Sequence, residues 1–128
     1  MRILLDTCVF LWIARSDSRL SDKAARAFES PDNTVFLSSI SAWEISIKWN
    51  VGKLHLPYPP EQFIPRERKR HFIEELRLAE EDTFSLSKLP DIHKDPFDRI
   101  LICQAIENGL TILTSNQYIQ QYPVKTLW

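Results

Sequence analysis

At 128 residues, with 44% hydrophobic and 26% charged content, the chain is sized for one domain with a real core and is too apolar to be disordered. A net charge of −1 gives no global basic footprint for nucleic acid, so such a partner must meet a local patch. The two cysteines, Cys8 and Cys103, lie in apolar helical runs without a C-x-x-C pair, which excludes a disulfide framework and predicts two buried thiols in a reducing compartment.

Ile3-Leu4-Leu5 is a short apolar run of the kind expected in a strand buried on both faces. Asp6-Thr7 ends it, and Cys8 to Ala14 reads as helix with either residue as cap. Asp6 interrupts the apolar N-terminus and no small-residue cleavage site follows, so the segment is neither a signal peptide nor a span of about 20 residues. A cytoplasmic protein is the expectation. Open α/β sheets place ligands at the carboxyl ends of buried strands, where Asp6 stands; simple capping is the plainer alternative.

Ser21 caps a polar-faced helix to Phe28, Pro31-Asp32-Asn33 turns, and Thr34 to Leu37 forms a second strand. Ser38-Ser39 opens a helix to about Val51, stopped by Gly52. Along it Ile40, Trp43, Glu44, Ile47 and Val51 share one face, which puts Glu44 on an apolar stripe. An i,i+4 pair with Lys48 would be a weak surface contact. An ionised carboxylate on a core-facing stripe is costly unless paired or bound to metal, so Glu44 reads as functional.

Leu54 to Pro60 is a proline-rich connector, too short to separate domains. Glu61 to Glu75 reads as helical but divided at Pro65. It carries Arg66, Arg68, Lys69, Arg70 and His71, either a solvated face or a phosphate-contacting patch. Leu76 to Leu78 reads as a brief strand and Glu80 to Leu89 as a short helix before Pro90. Asp95 then suits an N-cap, Pro96 the first helical position and Asp98 the acidic third position of a helix ending at Asn108 before Gly109. Leu110 to Leu113 gives a strand ending in Thr114-Ser115-Asn116, followed by a helical turn at Tyr118 to Gln121 and an edge strand at Val124 to Leu127.

This alternation predicts a three-layer α/β/α sandwich with a mainly parallel sheet. Right-handed crossovers would bring the carboxyl ends of the strands, with Asp6 and Asn116, to one edge. Two glycines leave no phosphate-binding loop or nucleophile elbow, and His55, His71 and His93 lack zinc spacing and read as surface or connector residues. A phosphotransferase using Asp6 as nucleophile wants a second aspartate two residues on, where Cys8 stands. What remains is oxygen chemistry: Asp6, Glu44, Asp95 and Asp98, with Thr7, Thr114, Ser115 and Asn116 nearby, a set suited to Mg²⁺ or Mn²⁺. Without an ion, clustered anions would repel and one would stay protonated.

Four elements in order carry a family resemblance: Ile3-Leu4-Leu5-Asp6-Thr7, Ser41-Ala42-Trp43-Glu44-Ile45, His93-Lys94-Asp95-Pro96-Phe97-Asp98-Arg99, and Leu113-Thr114-Ser115-Asn116. The chain resembles a PIN domain, specifically the VapC-type toxin of toxin–antitoxin pairs. That resemblance implies an Mg²⁺- or Mn²⁺-dependent, single-strand-directed endoribonuclease. It maps the catalytic, metal-binding acids onto Asp6, Glu44 and Asp98. Thr7, Asp95, Arg99, Thr114, Ser115 and Asn116 fall beside them or toward substrate, and Arg66, Arg68, Lys69 and Arg70 are offered to RNA. It also implies a small antitoxin partner, met by the first two helices including Phe10 and Trp12, and a homodimer. The family often has a fourth aspartate where Asn116 stands, so the alternative is a weak or inactive PIN-fold binding module.

Overall fold

A computed structural model describes residues 1–128. At its centre is β1 (Arg2–Leu5), whose Ile3, Leu4 and Leu5 are completely buried, as a continuous apolar run requires. With β2 (Thr34–Ser38), β3 (Glu74–Leu76), β4 (Thr111–Leu113) and β5 (Thr126–Leu127) it forms one sheet in the order β3-β2-β1-β4-β5. Every neighbouring pair is parallel, with Leu4 between Phe36 and Ile112.

Side chains alternate across a strand, and this divides the core into two layers. Ile3 and Leu5 join Val35 and Leu37 under α1 (Thr7–Arg15), α2 (Asp22–Glu29) and α4 (Pro60–Arg70). Leu4 and Ile112 face the other way, under α5 (Pro96–Asn108), against which the 3-10 segment Glu80–Lys88 packs. Helix α3 (Ser39–Asn50) supplies Ile45 to the first layer and Ile40 to the second. The architecture is the three-layer α/β/α sandwich. The chain leaves β1 toward β2 and β3, then crosses back to β4, so the order reverses beside β1. In open parallel sheets that reversal opens a crevice at the strands' carboxyl ends.

Several local expectations change. Helix α4 runs unbroken through Pro65. The proline forfeits only the bond to the Glu61 carbonyl, and both residues are exposed, so water can satisfy it. The helix ends at Arg70, not Glu75, and after Phe72 (φ 57°) β3 pairs Glu74–Leu76 with Phe36–Ser38, two residues ahead of the expected strand. An edge strand needs only backbone pairing, so two glutamates serve there. On α3 the buried face is Ile40, Ser41, Glu44 and Ile45, while Trp43 and Val51 are both 58% exposed. Cys8 is exposed because α1 buries Thr7, Val9, Phe10 and Ile13 instead; only Cys103 is buried. Phe10 is fully buried, edge-on to Phe63, and is withdrawn from any partner surface, and Trp12 packs against Trp128. No helix is long and apolar enough to cross a membrane.

Candidate metal centre at the carboxyl edge of the sheet

Asp6 follows directly on β1, and its backbone N–H donates to Leu113 O of β4 at 3.2 Å, tying it to the crevice. It stands at the N-cap of α1 in extended conformation, yet its side chain makes no capping bond. Instead Asp6 Oδ2 accepts from the Thr114 hydroxyl at 2.7 Å, across the ends of the two central strands. Burial pushes this carboxyl up to about 6; the Thr114 bond pulls it down, and the charges of Asp98 and Glu44 push it up further.

Glu44 is 6% exposed, and its Oε2 pairs with Lys48 Nζ at 2.5 Å. The i,i+4 pair foreseen as a surface contact therefore compensates a buried carboxylate. Asp98, the third residue of α5, is also buried, and burial followed by the nearby Asp95 charge raises its carboxyl while the His93 bond lowers it. Helix capping falls to Asp95, exposed, whose Oδ1 accepts from the Phe97 and Asp98 amides at 2.9 and 3.1 Å. Cys8 is exposed as a residue, yet partial desolvation of its thiol and then the charges of Asp6 and Glu44 push it up to about 11. These three acids thus share one electrostatic neighbourhood.

The remaining residues fall around them. The Thr7 hydroxyl donates to Ser41 Oγ at 2.8 Å, binding α1 to α3 beneath the acids. Thr114 Oγ1 also accepts from the Asn116 amide at 3.0 Å, and Ser115 is half-buried between them. Asn116 Oδ1 accepts from the Tyr118 amide at 2.8 Å, while its Nδ2 lies 3.4 Å from Asp98 Oδ2. Arg99 turns to the Pro90 carbonyl and the Tyr122 hydroxyl. The basic run lies elsewhere. The end of α4 feeds the amino end of β3, so Arg68, Lys69 and Arg70 sit at the sheet edge opposite Asp6, and Arg66 stacks over Tyr58 at 4.9 Å.

Two residues were not legible as site residues. His93 Nε2 lies 2.9 Å from Asp98 Oδ2, and its Nδ1 lies 2.8 Å from the Tyr122 hydroxyl. The i,i+5 spacing of His93 and Asp98 across a helix start was the available signal; Tyr122, 29 residues away, offered none.

The donor chemistry suits a hard divalent cation: buried carboxylates at a crevice, two of them pushed toward protonation. No three His, Cys, Asp or Glu side chains stand together closely enough to hold a metal ion among them as placed. Mg²⁺ keeps several waters and takes only one or two carboxylates directly, so a loose set is the appropriate kind.

A profile of the PIN domain matches residues 3–125. The chain belongs to the PIN domain family. PIN domains are nucleases, which places the acidic crevice in a hydrolase of nucleic acid. No curated protein matches at a significant level. Among solved structures, the chain is similar to one in the VapBC2 complex of Rickettsia felis bound to a DNA fragment from its promoter, with TM-score 0.74, 18% identity, and coverage of 99% of this chain and 98% of that one. VapBC-1 from nontypeable Haemophilus influenzae gives TM-score 0.66 and 19% identity over 99% and 97% of the chains. FitAcB from Neisseria gonorrhoeae gives 0.58 and 17% over 98% and 96%. At such identities these likenesses speak for the PIN fold.

Proposed function

We propose that this PIN domain is a divalent-metal-dependent endoribonuclease acting on single strands, the toxin of a toxin–antitoxin pair. The observation that carries the reading is Asp6: a carboxyl buried at the end of the central strand, raised by burial, with Asp98 and Glu44 adding repulsion. A divalent cation would relieve that repulsion. Asp6, Glu44 and Asp98 would hold Mg²⁺ or Mn²⁺, which when bound supplies charge neutralisation at a phosphodiester and lowers the pKa of the attacking water.

The chain's own groups orient these acids. Thr114 fixes Asp6 by its Oδ2, leaving Oδ1 unclaimed by any side chain. Lys48 pairs with Glu44 and holds its carboxylate in place. Asp95 anchors the first turn of α5, so that Asp98 enters from a rigid helix start. Arg68, Lys69 and Arg70 stand on the far edge of the sheet, away from these acids.

One observation favours the alternative of a weak or inactive binding module. Asn116 spends its oxygen on backbone amides and offers the acids a nitrogen, which cannot ligate a cation. The partner reading rests on the similarity to chains in VapBC complexes and on exposed apolar groups such as Trp43, Ile47 and Leu86; a small antitoxin and a second copy of this chain are both part of the proposal.

Incubation of purified protein with a single-stranded RNA in Mg²⁺, Mn²⁺ or EDTA tests it. Cleavage in either metal and none in EDTA is expected. Cleavage undiminished by EDTA sinks the metal-dependent reading, and silence in every buffer favours the binding module.

A further inference from the structure

The Tyr122 hydroxyl stands at a crossing of hydrogen bonds that fixes the protonation pattern of His93. Four groups approach it: Arg99 Nη1 at 3.0 Å, the His93 amide at 3.2 Å, His93 Nδ1 at 2.8 Å and the His93 carbonyl at 3.3 Å. A guanidinium and a backbone amide can only donate, and a hydroxyl has two lone pairs and one proton. The two obligate donors fill both lone pairs. The tyrosine proton must then go outward, and the nearer acceptor is Nδ1 rather than the carbonyl. With Nδ1 accepting, the single ring proton sits on Nε2, which donates to Asp98 Oδ2 at 2.9 Å.

We infer that Arg99, Tyr122 and His93 form a relay that locks His93 as the Nε2–H tautomer and thereby positions Asp98 for its ion. The inference rests on the metal-dependent reading above and assigns His93 a positioning role, with Tyr122 and Arg99 behind it. Oδ2 of Asp98 is claimed by His93 and approached by Asn116, so Oδ1 is the oxygen left for the site. The imidazole is itself clamped, stacked on Tyr118 at 5.2 Å and edge-on to Tyr122 at 5.4 Å. The Arg99 guanidinium also lies over the Tyr122 ring at 5.8 Å. Hydrogen-bonded groups behind a ligand set its orientation and basicity, and their loss typically lowers metal affinity.

The test uses the full chain in two measurements: long-range proton–nitrogen NMR of the His93 ring without metal, and calorimetric titration with Mn²⁺. Wild type is expected to show the Nε2–H pattern and to bind Mn²⁺. Tyr122→Phe, close in shape, is expected to raise the share of the Nδ1–H tautomer at His93 and to weaken Mn²⁺ binding by about tenfold, while His93→Gln, which keeps a donor toward Asp98, stays within about threefold. His93→Leu, lacking any donor, is expected to lose at least as much as Tyr122→Phe. A wild type that binds Mn²⁺ but carries the Nδ1–H tautomer overturns the relay alone. Equal affinities for wild type, Tyr122→Phe and His93→Leu overturn it as well. A wild type that binds no Mn²⁺ overturns the nuclease reading and the relay's purpose with it.

Discussion

Asn116 meets Asp98 with its nitrogen: Nδ2 lies 3.4 Å from Asp98 Oδ2, while Oδ1 accepts from the amides of Tyr118 and Ile119. Asn116→Asp keeps the accepting oxygen for the turn and sets a second carboxylate against Asp98. Without metal, like charges that close are expected to cost about 1 kcal/mol and lower the melting temperature by several degrees. With Mn²⁺ the added anion is expected to tighten binding by about tenfold and restore the loss. Melting curves with and without Mn²⁺ read both effects. A variant that is destabilised equally in both buffers would mean that residue 116 does not face the ion.

Asp6 gives a pH prediction with a definite sign. Its folded carboxyl, raised by burial to about 6, exceeds the ordinary value of 3.8. The folded state therefore binds protons more readily than the unfolded state, and this contribution is complete below the ordinary value. It fades as pH rises through about 6. Metal-free protein should lose up to roughly 3 kcal/mol from this one group between about pH 4 and pH 7. Asp6→Asn should flatten that slope, and Mn²⁺ should do the same by holding the carboxylate ionised. Urea unfolding at several pH values, for wild type and variant, measures it. Parallel slopes would show that Asp6 is not the group responsible.

What the sequence could and could not disclose follows from the range of each signal. Ile3-Leu4-Leu5, the Asp95-Pro96 helix start and the Gly109 stop, with φ 64°, are local patterns, and all three stand in the fold. Glu44 is buried, but not for the reason its spacing suggested: Trp43, Ile47 and Val51 on the same stripe are exposed, and Ser41 and Ile45 replace them. Period alone does not say which of two overlapping faces meets the core when a helix straddles two layers. The start of β3 was missed because an edge strand pairs by backbone, so Glu74-Glu75 carries no apolar mark. Tyr122 reaches His93 across 29 residues, a distance at which no pattern in the chain points from one to the other.

The basic run on α4 supplies a control. Arg70 pairs weakly with Glu67 at 3.8 Å and is exposed, and Lys69 is exposed beside it, both at the amino edge of the sheet. Lys69→Glu and Arg70→Glu together should change RNA cleavage by less than about twofold at physiological salt, where the Debye length is about 8 Å. A loss near tenfold, relieved by raising the salt less than in wild type, would mean that RNA wraps around the sheet to reach this edge.

Asp98 separates stability from activity most cleanly, because its replacement should spare the first and remove the second. The cap of α5 belongs to Asp95, which accepts from both the Phe97 and Asp98 amides, so Asp98→Asn leaves the helix start closed. The amide oxygen still accepts from His93, whose Nε2 lies 2.9 Å away in the native chain. The loss of an acidic third position near the helix dipole costs about 0.3–1 kcal/mol. Set against it is the relief of a buried carboxyl that burial and Asp95 hold above its ordinary range, so metal-free stability should be unchanged or slightly higher. Cleavage should nevertheless fall at least about 100-fold, since loss of a charged ligand exceeds the 10–100-fold typical of groups behind one. Melting curves and RNA cleavage rates measured on the same preparation decide it. If Asp98→Asn cleaves like wild type, Asp98 is a helix-start residue only, and Asp95 becomes the acid to test as the partner of Asp6 and Glu44.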